Sequence, residues 1–150
     1  MTDTLTVSFE VGCDVGHAFA TWTQRIGIWW PADHTLTGGP AAVVLEGRVG
    51  GRIFERTAEG KEHDWGVVTM WRPPRALAYQ WHLGVGPESA TTVSVTFSAV
   101  GQDRTMVQIE QTGWERLGAV GPDLRNRNHM GWEALGPHFR AAAENFEKGA

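Results

Sequence analysis

One apolar stripe of helical period closes this chain. Trp132, Leu135, Phe139, Ala142 and Phe146 fall at steps of three, four, three and four, so one face of a long C-terminal helix must be buried. Almost everything before it has a period of two. A single long helix facing a whole antiparallel sheet cannot fill the space beneath it, so this pattern already predicts a pocket. The 150 residues suit one domain, expected to span 1–150.

The rest of the chain divides accordingly. Leu5, Val7, Phe9 and Val11 alternate as a half-buried strand. Asp14 is placed as an N-cap for a short helix carrying Ala18, Phe19 and Trp22. A second short helical turn holds Trp29 and Trp30 and is stopped by Pro31. Strands are expected over 43–48, 52–57, 63–71, 75–83, 91–99 and 104–112, with turn signals at Gly50-Gly51, Glu59-Gly60, Pro73-Pro74, Gly84 to Pro87 and Gly101. Residues 113–125, with Gly118, Gly121 and Pro122, read as a loop. Gly136-Pro137 is expected to bend the final helix over a concave surface.

Composition excludes several classes of function. A net charge of −4 argues against a nucleic-acid partner, which calls for a basic surface. No apolar run approaches the roughly 20 residues of a membrane span, and Met1 to Phe9 lacks the form of a signal peptide. No membrane partner and a cytoplasmic location are therefore expected. The six histidines show no HExxH spacing, and Cys13 has no companion, so neither a metal site nor a cofactor is expected. No GxSxG elbow and no GxGxxG loop occurs. Glu46 and Glu55 are read as exposed partners of Arg48, Arg52 or Arg56, with no visible reason for a shifted pKa. Glu144 to Lys148 are read as a solvated helix end.

The order strand, two short helices, six strands, long helix resembles the helix-grip fold of the START and SRPBCC superfamily, in the branch of the Hsp90 ATPase activator homologues. The resemblance is carried by Ala18-Phe19, Trp22, Trp29-Trp30-Pro31, Gly50-Gly51-Arg52, Gly66, Pro73-Pro74, Leu77 to Trp81, Thr92 to Phe97, Thr105 to Ile109 and Gly131-Trp132. Glu62 to Gly66, Thr112-Gly113-Trp114 and Arg125 to Trp132 are similar to a subgroup that includes enediyne self-resistance proteins. The resemblance implies an α+β, START/Bet v 1-like fold: a curved antiparallel sheet of six to seven strands around the C-terminal helix, with two short helices after the first strand.

Alternation places Leu77, Tyr79 and Trp81, then Val93, Val95 and Phe97, then Val107, Ile109 and Gln111 in rows facing Trp132, Leu135 and Phe139. Eight tryptophans against one tyrosine suit broad ring-stacking walls or, equally, core filler. The expected ligand-binding set is Trp30, His63, Trp65, Tyr79, Trp81, Phe97, Ile109, Gln111, His129, Trp132 and Leu135. Gln111 is either a solvated strand end or an amide that orients a ligand at the pocket mouth. His63 and His129 are either structural or polar contacts for the ligand.

The expected function is binding of a small apolar or aromatic molecule between sheet and helix, as in antibiotic sequestration and self-resistance. The expected protein is more a binder than an enzyme, and no catalytic residue is nominated. An alternative is a cyclase- or dehydratase-like enzyme using His63, Gln111 and His129. A further alternative, an Hsp90 partner, rests on the family name alone. Edge strands leave monomer and homodimer both open.

Overall fold

The computed structural model describes residues 4–148. Strand β1 (Leu5–Val11) is followed by helices α1 (Val15–Thr23) and α2 (Ile26–Trp29). Strands β2 (Ala42–Leu45), β3 (Arg52–Arg56), β4 (Glu62–Arg72), β5 (Ala76–Trp81), β6 (Thr91–Gly101) and β7 (Arg104–Thr112) then precede helix α3 (Gly121–Lys148). All strand pairs are antiparallel, in the order β1-β7-β6-β5-β4-β3-β2. Six strands form a meander and β1 closes its far edge against β7. Register shifts between Ile53 and Phe54, Val68 and Met70, and Ala99 and Gly101 add local twist of the kind that bends a sheet.

Local chemistry explains most boundaries. Asp14 Oδ1 accepts from His17 N at 2.7 Å, the N-cap the sequence predicts. At the close approach of β4 and β5, a side chain on Gly66 would place its Cβ 2.0 Å from Gln80 O. Only glycine lets those backbones meet.

The final helix differs from its expected form at both ends. Instead of a loop over 113–125, Trp114–Val120 form 3-10 turns, broken at Gly118 with φ 64°, and α3 begins at Gly121. Pro122 is no obstacle there, because a first-turn N–H has no helical partner to lose. Farther along, the buried residues are Trp132, Leu135, Phe139 and Ala143, with Ala142 only half-buried. A straight helix drifts past a strict seven-residue repeat, so the seam moves by one position. The side chain of Phe146 lies outside the described residues. Glu144, read as solvated, instead accepts from Gly12 N at 2.8 Å and ties the end of β1 to α3.

Beneath α3 the space is filled by the protein's own rings. Phe139 packs against Phe9, Trp22 and Trp29 at centroid distances of 6.0, 5.1 and 5.2 Å. Trp22 also meets Trp29 at 4.9 Å and Trp132 at 6.1 Å. A void among Phe9, Trp22, Trp29, Ile109 and Phe139 has no room for a water molecule.

Candidate functional site

Open volume appears where β5, β6 and β7 meet the first turns of α3. Trp81 ends β5 and is paired with Thr91, the first residue of β6, while Gln111 pairs with Val93 close to the end of β7. These inward positions lie past the packed rows and form one end of a cavity of about 320 Å³, at the small end of the usual range for ligand pockets. α3 contributes Leu124, Arg127, Asn128, Trp132 and Leu135. Trp30 and the segment 33–36 supply another wall, and residues 82–85 another.

Gln111 organises the α3 side. It is 1% exposed, which rules out a solvated strand end. Its Oε1 accepts from Trp132 Nε1 at 2.8 Å, and its Nε2 donates to Thr91 Oγ1 at 2.7 Å and Asn128 Oδ1 at 3.4 Å. An indole N–H can only donate, which fixes the orientation of the amide. The Gln111 main-chain carbonyl accepts from Trp114 Nε1 at 3.0 Å. One residue thus sets the planes of two cavity indoles.

Glu55 organises the other side, and it corrects the sequence reading. It is fully buried and accepts four hydrogen bonds. Oε1 takes Leu36 N at 2.6 Å and Trp65 Nε1 at 2.7 Å. Oε2 takes Thr37 N at 3.0 Å and Thr37 Oγ1 at 2.6 Å. Burial raises the carboxyl pKa, but the bonds from Thr37, Leu36 and Trp65 outweigh it and hold the pKa below the usual glutamate value. Leu36 belongs to the cavity wall. Trp65 backs two more wall residues, with ring centroids 5.2 Å from Trp30 and 5.9 Å from Trp81. A single carboxylate therefore fixes the 33–37 segment relative to the indole cluster. Glu46 sits near Arg48 and Arg52 at 3.5 and 3.6 Å, the partners the sequence suggests, but it is half-buried and accepts from Arg52 N at 2.8 Å, a bond that lowers its pKa.

The structure brings Trp30, Trp81, Gln111, Trp132 and Leu135 together around the cavity. Trp65 stands one layer behind. Tyr79 and Phe97 belong to the packed core, and Ile109 borders the closed void. Burial pushes the Tyr79 phenol far above its usual range, only partly opposed by the Trp22 indole. His63 is half-buried on β4 and His129 sits 3.7 Å from Glu133 Oε2; neither lines the cavity. Sequence reasoning missed Thr91, Trp114, Arg127, Asn128, His34 and His82 in the lining. Asn128 stands four residues before Trp132 and was within reach of helical spacing. Arg127 is its neighbour on α3 and Thr91 opens β6, whereas His34, His82 and Trp114 come from turns whose course no periodicity specifies. Among the described residues no cluster of His, Cys, Asp or Glu is arranged to hold a metal ion, and no helix is long and apolar enough to cross a membrane.

A curved sheet gripping a long helix, open at one end into an indole-walled cavity, defines the helix-grip class. Residues 13–144 match the family model of Activator of Hsp90 ATPase homolog 1-like proteins, and the chain belongs to that family. No curated protein matches it in sequence. Among solved structures it is similar to CalC of Micromonospora echinospora, described as a self-sacrificing resistance protein. That match has 29% identity over 95% of this chain and 94% of CalC, with a TM-score of 0.73. It is also similar to Txn09, an anthrahydroquino-γ-pyrone synthase, at 30% identity over 72% of this chain and 75% of that one, with a TM-score of 0.54. DynU16, from the dynemicin biosynthetic locus, shares the fold at 19% identity and a TM-score of 0.66, over 95% of this chain and 47% of its own.

Proposed function

We propose that this protein binds a small, flat, largely apolar molecule in the cavity bounded by Trp30, Trp81, Trp114, Trp132 and Leu135. The observation that carries this reading is that four indoles border one open volume, with three of their N–H groups already satisfied inside the protein. Such walls offer ring faces rather than polar edges. Burial of apolar area is worth roughly 25 cal/mol per Å², and well-placed ring pairs add about 0.5–1.5 kcal/mol each.

The finer reading is sequestration of an aromatic natural product, by analogy with CalC and its role as a resistance protein. A second reading is favoured by the 30% identity to a synthase: the bound molecule is transformed, with His34 and His82 as the imidazoles nearest it in the lining. Incubation with a panel of aromatic polyketide-like compounds, followed by mass spectrometry of protein and ligand, tests both. A compound that binds and is recovered unchanged supports sequestration. Conversion that disappears in His34→Ala or His82→Ala supports the enzyme. No binding anywhere in the panel refutes both.

A further inference from the structure

The four cavity indoles differ in one respect. Trp30, Trp114 and Trp132 donate to His34 O, Gln111 O and Gln111 Oε1 at 3.0, 3.0 and 2.8 Å. Among the described residues Trp81 Nε1 meets no acceptor, yet unlike Trp22 Nε1 it is not sealed from solvent. A donor left open in an otherwise satisfied apolar wall is what a bound carbonyl would pair with.

The arginines near the mouth divide in the same way. Arg116 donates to the Ala90 carbonyl, and Arg125 donates to Thr4 O at 3.1 Å. Arg127 lines the cavity and, among the described residues, has neither a hydrogen-bond nor an ion-pair partner. Asp33, the one carboxylate in the lining, is held by the His34 ring at 2.9 Å. The planar guanidinium suits a carboxylate, and its exposure lets an anionic ligand end keep part of its hydration.

Resting on the binding reading above, we propose that the ligand is a planar molecule of two or three fused rings with a ring carbonyl and one carboxylate. The carbonyl accepts from Trp81 Nε1 and the carboxylate faces Arg127. The two contacts together set the ligand's orientation.

Calorimetric titration of the full chain with fluorenone carboxylate, its methyl ester and fluorene carboxylate tests this. The acid should bind about fivefold more tightly than the ester, a gain expected of a partly screened charge pair. Arg127→Gln should erase that difference, leaving acid and ester with the same affinity in the variant. Replacing the ketone by the methylene of fluorene should weaken binding about fivefold by leaving the Trp81 donor unpaired. The inference is overturned if acid and ester bind alike, if Arg127→Gln weakens both equally, or if ketone and methylene compounds are indistinguishable; in those cases the small-molecule reading still stands. If none of the three compounds binds while another member of the aromatic panel does, the inference fails and the binding reading stands; if nothing in the panel binds, both fail.

Discussion

Replacing Glu55 by Gln removes a charge while keeping the size of the side chain, and the structure dictates how much that should cost. All four partners of Glu55 are donors: two backbone N–H groups, a hydroxyl and an indole. An amide has one oxygen, so it can keep the Leu36 and Trp65 bonds or the Thr37 pair, but not both. With the oxygen toward Leu36 and Trp65, the new NH₂ group faces Thr37. The hydroxyl can rotate to accept, whereas the Thr37 N–H, in an exposed residue but turned toward the buried side chain, is left facing another donor. One such unsatisfied group costs about 1–3 kcal/mol, and the bonds that remain weaken because the acceptor is now neutral. A loss of about 2–4 kcal/mol is therefore expected for Glu55→Gln.

For a domain of this size that loss corresponds to a fall in Tm of roughly 4–16 °C, read by circular dichroism. The pH dependence supplies a second signature. Because the folded-state pKa of Glu55 is depressed, its contribution is fully present above the unfolded-state pKa and is lost as pH falls through the lower folded value. The stability gap between wild type and Glu55→Gln should consequently be widest near neutrality and narrow on acidification. Glu46 and Glu62 also have lowered pKa values, but they are present in both proteins and cancel in the difference. A Glu55→Gln protein that melts within a degree of wild type, or a gap that widens in acid, would refute this role for Glu55.

Other perturbations read different parts of the architecture. Gln111→Leu should cost about 1–3 kcal/mol in urea unfolding by stranding Trp132 Nε1, and part of that should be recovered when Trp132→Phe is added, because the stranded donor is then gone. Gly66→Ala should destabilise by at least about 1–3 kcal/mol, since its Cβ would meet the Gln80 backbone. Gly131→Ala, in a helix with nothing within 4 Å of the new atom, should instead stabilise by about 0.5–1 kcal/mol; thermal melts distinguish the two. Arg56→Ala, which breaks an exposed pair with Glu62 at 2.9 Å, should change unfolding free energy by no more than about 1 kcal/mol.

The sheet was readable because its strands bury one face. Val93, Val95 and Phe97 are nearly inaccessible, while Thr92, Ser94 and Thr96 between them are more exposed, and alternation of that kind survives in the sequence. The two-residue corner Trp30-Pro31 and the N-cap at Asp14 were readable for similarly local reasons. Glu55 was not. Its environment is made by Leu36 and Thr37, far away in sequence, and a Glu among arginines looks the same whether the strand faces water or a folded-back loop. The cavity lining was half legible: Trp81, Gln111, Trp132 and Leu135 continue periodic rows, whereas His34, His82 and Trp114 are placed by turns. Periodicity also could not show that the volume under α3 is occupied by Trp22, Trp29 and Phe139, because rows of rings lining a pocket and rows filling it have the same spacing.

A guest is expected to occupy the open end of the grip and to leave the packed interior undisturbed. The eight tryptophans give eight indole N–H resonances, which makes a titration of the labelled protein with fluorenone carboxylate, followed in a nitrogen–proton correlation spectrum, the most direct test. Saturable shifts are predicted for Trp30, Trp81, Trp114 and Trp132, largest at Trp81, with Trp22 and with Trp71, which packs on Phe19 at 5.1 Å outside the cavity lining, unmoved. Shifts centred on Trp22, or on Trp71 alone, would place the guest elsewhere and contradict it.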